Sequence, residues 1–145
     1  MYPAVIIPVY NQVHRLERSL DSLAAQTDNG FCAICVDDGS TDGSSSKLDA
    51  YLNRASFDLT VLHKKNGGVS SARNEGLSAA FMRKDVTHIM FLDADDVYHP
   101  QCIELVRAAV RKSPDAAIEY NFTYNPPMSF TMCRYGGGGQ SFSLW

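Results

Sequence analysis

Between Ala4 and Lys112, apolar residues come in short unbroken runs separated by stretches with helical spacing. Ala4-Val5-Ile6-Ile7-Pro8-Val9-Tyr10, Phe31 to Val36, Leu59 to His63 and His88 to Leu92 are four such runs. Runs this short predict strands, and His88 to Leu92, mostly apolar, is read as a strand buried on both faces. Between them, Val13, Leu16, Leu20 and Leu23 recur at helical intervals, and Leu48 and Leu52 mark a second helix. Ala72, Gly76, Ala79 and Ala80 put small residues on one side of a third, which permits close approach to a sheet. A fourth helix is predicted from Pro100, a residue suited to a first helical position, with Ile103, Val106 and Val110 inward. Ser or Asp within 37–44 is expected to cap the second helix, and Ser70 or Ser71 to start the third. Strand–helix alternation with short connections predicts an α/β fold, a doubly wound, mostly parallel sheet with helices on both faces.

The pattern changes after residue 115. Ile118, Tyr120, Phe122 and Tyr124 alternate with polar neighbours, as do Met128, Phe130 and Met132. Period two predicts a sheet with unlike faces, and Asn125-Pro126-Pro127 predicts a wide turn between the runs. Gly136 to Gly139 are flexible by composition, so the last ten or so residues are expected to be poorly ordered. If the sheet is left incomplete, apolar surface around Tyr120, Phe122, Phe130 and Met132 invites self-association.

Composition narrows the function classes. The 145 residues, 45% hydrophobic, suffice for an ordinary core. A net charge of −3, from 13 basic and 16 acidic residues, leaves no electrostatic footprint for nucleic acid. His63-Lys64-Lys65 and Arg83-Lys84 are read as solvated surface. No stretch approaches the roughly 20 apolar residues of a membrane span, and Ala4 to Val9 is too short for a signal-peptide core. The expected location is cytoplasmic, at most peripheral to a membrane. Cys32 and Cys35 have metal-pair spacing, but residues three apart on a strand point to opposite faces, so they are read as core cysteines.

Three strand ends carry polar clusters: Pro8-Val9-Tyr10-Asn11, Asp37-Asp38-Gly39-Ser40 and Asp93-Ala94-Asp95-Asp96. A parallel sheet brings such ends to one edge, where ligands of open α/β sheets bind. The last cluster is either a solvated acidic turn or, with a phosphate, a site for Mn²⁺ or Mg²⁺, because crowded carboxylates need a positive partner. A nucleoside diphosphate fits all three clusters. Asp37 and Asp42 are read as braces of their loop, His99 as a turn residue, and Arg73 as a candidate to pair with Glu75 or Asp96.

Together with Asn66-Gly67-Gly68-Val69-Ser70-Ser71-Ala72-Arg73-Asn74-Glu75-Gly76, these clusters resemble, in order, the four signatures of family 2 glycosyltransferases. The resemblance runs from Ala4 to about Pro114. It implies the GT-A fold and an enzyme transferring sugar from a nucleotide-diphospho-sugar, with a UDP-sugar favoured, to a carbohydrate or lipid-linked acceptor. Residues 1–125 would form the nucleotide-sugar-binding domain, and 126–145 a C-terminal strand and glycine-rich tail, partly disordered. Pro8 and Tyr10 would line the base pocket, and Asp38 would accept from the base N–H. Arg73 would lie near the diphosphate, Asp93 by the ribose, and Asp95 would ligate the divalent metal, Mn²⁺ or Mg²⁺, with Asp96 beside it. Asp38→Asn is then expected to weaken nucleotide binding while barely moving the melting temperature.

The later family motifs, an acceptor base and a Gln-x-x-Arg-Trp stretch, have no match here. After Glu119 the chain has no Asp or Glu, so no catalytic base is identified. The C-terminal part is expected to be incomplete, with transfer impaired by truncation. The alternatives are a non-catalytic nucleotide-sugar-binding relic and a nucleotidyltransferase on a related fold. A dinucleotide dehydrogenase is excluded, because no G-x-G-x-x-G follows any strand.

Overall fold

The computed structural model describes residues 1–112, 116–121, 129–134 and 140–143, with side chains described within 1–112. The chain divides into two compact units, Met1–Ile103 and Glu104–Trp145. The division expected between residues 125 and 126 falls inside the second.

In the first unit, β1 (Pro3–Val9), β2 (Cys32–Asp37), β3 (Asp58–His63) and β4 (His88–Phe91) form one parallel sheet in the order β3-β2-β1-β4. Every residue of β1 and β2 is buried, which is why these runs carry no polar alternation before Asp37. β4, expected to be buried on both faces, is not, since of its four residues only Met90 is buried and Phe91 is 39% exposed. Helices α1 (Leu16–Ala24), α2 (Ser44–Leu52) and α3 (Val69–Phe81) connect the strands. α4 (Cys102–Lys112) spans the division between the units. Leu16, Leu20 and Leu23 bury one face of α1 completely. α3 lies against β1 and β2 through Ala72 and Ala80, which share a core with Ala4, Cys32, Ile34 and Val36. A Cβ on Gly76 would stand 2.5 Å from Ile6 Cγ2, so glycine is what lets α3 approach the sheet.

Boundaries differ from the sequence reading at the helix starts. α1 begins at Leu16 rather than near Val13, whose N–H is taken by Asp42 Oδ2 at 3.0 Å. α4 begins at Cys102 rather than Pro100, after a turn in which Cys102 N donates to His99 O at 2.8 Å. The residues capping α2 and α3 are Gly43 and Gly68, both at positive φ, and neither Ser70 nor Ser71 caps α3. Both serines instead lie inside the helix.

Cys32 lies in the core beneath α3, and Cys35 is fully buried. Burial pushes the Cys32 thiol up to about 11, and those of Cys35 and Cys102 to about 12, so all three stay protonated and unreactive near neutral pH.

The second unit holds an antiparallel sheet of β5 (Ala116–Asn121), β6 (Ser129–Arg134) and β7 (Gln140–Ser143), in the order β5-β6-β7. The alternating runs thus fall on strands. Gln140–Ser143 pair with β6 within the stretch expected to be poorly ordered. Gly136 to Gly139, the Asn125-Pro126-Pro127 turn and the aromatic side chains invoked for self-association lie outside the described residues. Among the described residues no helix is long and apolar enough to cross a membrane.

Strand order decides where a ligand can sit. β1 has β2 on one side and β4 on the other, so the chain reverses its winding direction between β1 and β4. The loops leaving these two strands part in opposite directions and leave a crevice at their carboxyl ends.

Candidate functional site

The three polar strand ends are knitted into one frame. After β1, Asn11 adopts a left-handed backbone (φ 52°). Its N–H donates to Ser40 Oγ at 3.0 Å, and its Oδ1 accepts from Thr41 N at 2.8 Å. Asparagine tolerates that backbone better than most residues, which accounts for its place at the end of the motif. Gln12 N donates to Ser44 Oγ at 2.9 Å, so the exit of β1 is bound to the loop after β2.

Asp37 and Asp42 brace that loop, as their sequence context suggests. Asp37 accepts from Ser40 N at 3.0 Å, from Ser45 Oγ and from His63, whose Nδ1 lies 3.1 Å away. Burial pushes its carboxyl up, and the hydrogen bonds from Ser40, Ser45 and His63 outweigh that and hold it below the usual range. Asp42 accepts from Ser44 N and Oγ and from Val13 N.

Asp38 is buried at 2% exposure. Its Oδ1 accepts from Lys64 Nζ at 2.6 Å and Gly67 N at 3.0 Å, and its Oδ2 from Gly68 N at 2.7 Å. Burial opposes ionisation, but the Lys64 hydrogen bond and the two backbone donors hold the carboxyl below its ordinary value. One expectation is thereby corrected: Lys64 is not solvated surface, since its side chain is 18% exposed and paired to a buried carboxylate. Three donors depend on Asp38, so its replacement is expected to disturb the free protein as well.

Arg73, on α3, pairs with Asp93 rather than with Glu75 or Asp96, Nη2 lying 2.7 Å from Asp93 Oδ1. Its guanidinium stands 5.9 Å from the Phe91 ring centroid, and its Nε is buried with no hydrogen-bond partner among the described residues. Past β4, Asp96 N donates to Asp93 O at 2.9 Å and closes the acidic turn. Asp95 Oδ2 lies 3.3 Å from Arg15 Nη1, a partner that spacing along the sequence did not reveal. His99 serves in the turn before α4, as its place before Pro100 suggests, with Nδ1 3.3 Å from Gln101 N.

Pro8, Tyr10, Asp38, Arg73, Asp93 and Asp95 all line one cavity of about 470 Å³ within the first unit. Val9, Gln12, Asn66, Gly68, Val69, Ala72 and Ala94 complete its wall. Tyr10 is half exposed, so its ring is open to stacking. Among the described residues no three His, Cys, Asp or Glu side chains converge to hold a metal by themselves. The donor set here is carboxylate oxygen, which suits a hard divalent cation sharing its shell with phosphate oxygens. Asp95 fits that role, since its half-exposed carboxylate faces the cavity and is already matched to a positive charge.

Comparison with known proteins gives one family. The profile described as Glycosyl transferase family 2 matches residues 4–134. An uncharacterized glycosyltransferase, EpsJ, from Bacillus subtilis is 40% identical over 93 residues, covering 64% of this chain and 26% of its own length. Glycosyltransferase GlyG from Streptococcus pneumoniae is 32% identical over 124 residues, covering 84% of this chain and 40% of GlyG. Among solved structures, S. aureus TarS 1-349 in complex with UDP-GlcNAc superposes with a TM-score of 0.69 at 27% identity, over 81% of this chain and 33% of that one. The mannosyltransferase PcManGT from Pyrobaculum calidifontis, in complex with GDP-Man and Mn²⁺, shares the fold with a TM-score of 0.64 at 23% identity, over 80% of this chain and 34% of that one. The chain thus spans less than half the length of each of these relatives. With a parallel sheet of the GT-A kind, a cavity built from all four sequence signatures and a profile match from residue 4 to residue 134, the chain belongs to glycosyl transferase family 2.

Proposed function

We propose that this chain binds a nucleoside-diphospho-sugar, a UDP-sugar by preference, together with a divalent cation, as the donor half of a glycosyl transfer. The observation that carries the reading is the convergence of Pro8, Tyr10, Asp38, Arg73, Asp93 and Asp95 on one cavity at the switch point of the sheet. Tyr10 and Pro8 hold the base, and Asp38 accepts its N–H. Asp93 takes the ribose hydroxyls, and Arg73 faces the diphosphate with an Nε that lacks a partner among the described residues. Asp95 would hold Mn²⁺ or Mg²⁺, and such a cation, when bound, would supply Lewis-acid stabilisation of negative charge on the diphosphate. Relatives of the same fold bind UDP-GlcNAc, and GDP-Man with Mn²⁺, which agrees with this class of donor.

The described carboxylates lining the cavity are Asp38, Asp93 and Asp95, and each is given to the donor. No acceptor base is assigned among them. Calorimetric titration with UDP, GDP, dTDP and CDP, with and without Mn²⁺, tests the reading. Mn²⁺-dependent binding of UDP is expected, and binding of none of the four would sink it.

A further inference from the structure

We infer that Lys64 is a specificity-determining positioning residue, which fixes Asp38 as a pure acceptor so that the site takes bases with an imide N–H and rejects cytosine. The inference rests on the proposed reading that Asp38 faces the base. An ionised carboxylate offers about four acceptor positions and no donor. Three are occupied: Oδ1 by Lys64 Nζ at 2.6 Å and Gly67 N at 3.0 Å, Oδ2 by Gly68 N at 2.7 Å. One position on Oδ2 remains, on a residue that lines the cavity.

Lys64 is itself held, since Nζ also donates to Lys65 O at 2.7 Å and its side chain is 18% exposed. It does not line the cavity, so its influence on a ligand passes through Asp38. The two backbone donors belong to the same loop, entered where Lys64 N donates to Asp37 O at 3.0 Å. Carboxylate, ammonium and loop therefore set one another's positions, and Asp38 cannot turn to present another edge.

The chemical consequence is a choice between bases. Uracil, thymine and guanine each present a ring N–H flanked by a carbonyl, and that N–H donates to the free position on Oδ2. Cytosine presents an unprotonated ring nitrogen there, so its lone pair faces a lone pair of Asp38, whose side chain is only 3% exposed. A site that hydrogen-bonds one partner and leaves the other unpaired separates them strongly. Without Lys64, Asp38 loses its one charged donor among the described residues and keeps only the Gly67 and Gly68 N–H groups. That favours the protonated carboxyl, whose O–H can donate to the cytosine ring nitrogen.

Calorimetry with UDP and CDP on the wild type, Lys64→Met and Lys64→Arg tests the inference, with Mn²⁺ held constant. The wild type should prefer UDP, Lys64→Met should lower the UDP-to-CDP affinity ratio by about tenfold, and Lys64→Arg should restore much of it. A brace alone would lower the melting temperature of Lys64→Met and leave the ratio unchanged, and that result overturns the inference. Should Lys64→Met unfold, Lys64→Gln, which retains a neutral hydrogen bond, takes its place. It should show a reduced ratio, and a wild-type ratio there would equally overturn the inference. If the wild type binds UDP and CDP alike, the reading of Asp38 as base acceptor fails, and the inference with it.

Discussion

Arg15 reaches from the residue preceding α1 to the acidic turn after β4, placing Nη1 3.3 Å from Asp95 Oδ2. The guanidinium occupies the carboxylate proposed to hold the divalent cation, so a cation bound there would compete with Arg15. Both side chains are well exposed, at 66% and 40%, and ion pairs of this kind are worth about 0–1 kcal/mol. Arg15→Gln should therefore tighten Mn²⁺ binding by no more than about fivefold. Paramagnetic resonance of free Mn²⁺ reads that directly, and weaker Mn²⁺ binding in the variant would contradict competition.

Asp95→Ala removes the proposed ligand itself. UDP affinity should become indifferent to Mn²⁺ and to its removal by chelation, while the melting temperature stays close to wild type, since Asp95 and its partner Arg15 are both well exposed. A variant that still responds to Mn²⁺ would move the metal elsewhere.

Much of this frame is legible in the chain because two of the four strands, β1 and β2, are buried on both faces. That burial writes β1 and β2 as continuous apolar runs, and helical leucines mark α1 just as plainly. The positions of Tyr10, Asp38, Asp93 and Asp95 follow from parallel strands ending at one edge, whereas Arg73, inside α3, is marked only by the family resemblance. Lys64 and Arg15 are different. Each is an ordinary basic residue in sequence, and each acquires its role from a partner 26 or 80 residues away. Nothing local encodes such a pairing. The helix starts are legible only in part: Asp42, within the stretch expected to cap α2, accepts from Ser44 N, but the N-cap positions themselves are Gly43 and Gly68, and Ser70 and Ser71 lie inside α3.

Gly39 is required by the loop that carries Asp38. Its φ is +72°, and a Cβ there would stand 2.8 Å from Asn66 N, a backbone atom with little room to move. A left-handed conformation costs an ordinary residue about 1–2 kcal/mol, and the clash adds to it. Gly39→Ala should lower thermal stability by at least that amount and displace the 64–68 loop, weakening UDP binding as well. Unchanged melting would show that the loop relaxes freely.

His63 couples stability to pH. Its hydrogen bonds to Asp37 and then to Asp49 raise the imidazole pKa above its ordinary value. A raised folded-state pKa means the protonated ring stabilises the fold. That contribution is complete below the unfolded value near 6.5 and is lost as pH rises through the folded one. The side chain is 42% exposed, so solvent screens the effect and keeps it small. The wild type should melt above His63→Gln at about pH 5.5, and the gap should narrow by about pH 8. A gap that widens with pH would reverse the sign argued here.

Asp38→Asn separates two roles that the structure joins in one side chain. Asparagine keeps a single acceptor oxygen and turns an NH₂ group toward donors. Of Lys64 Nζ, Gly67 N and Gly68 N, at least one loses its partner, and an amide N–H then faces another N–H. Losing a hydrogen bond to a charged group in a site this buried costs about 1.5–3 kcal/mol. The melting temperature of the free protein should therefore fall, contrary to what the sequence alone suggests. UDP affinity should fall as well, because the NH₂ can take the place of the last acceptor position on Oδ2. CDP provides the control: an NH₂ group can donate to the cytosine ring nitrogen, so its binding should weaken less than that of UDP or improve. Equal losses for the two nucleotides, following the drop in stability, would leave Asp38 as a brace and remove it from base recognition.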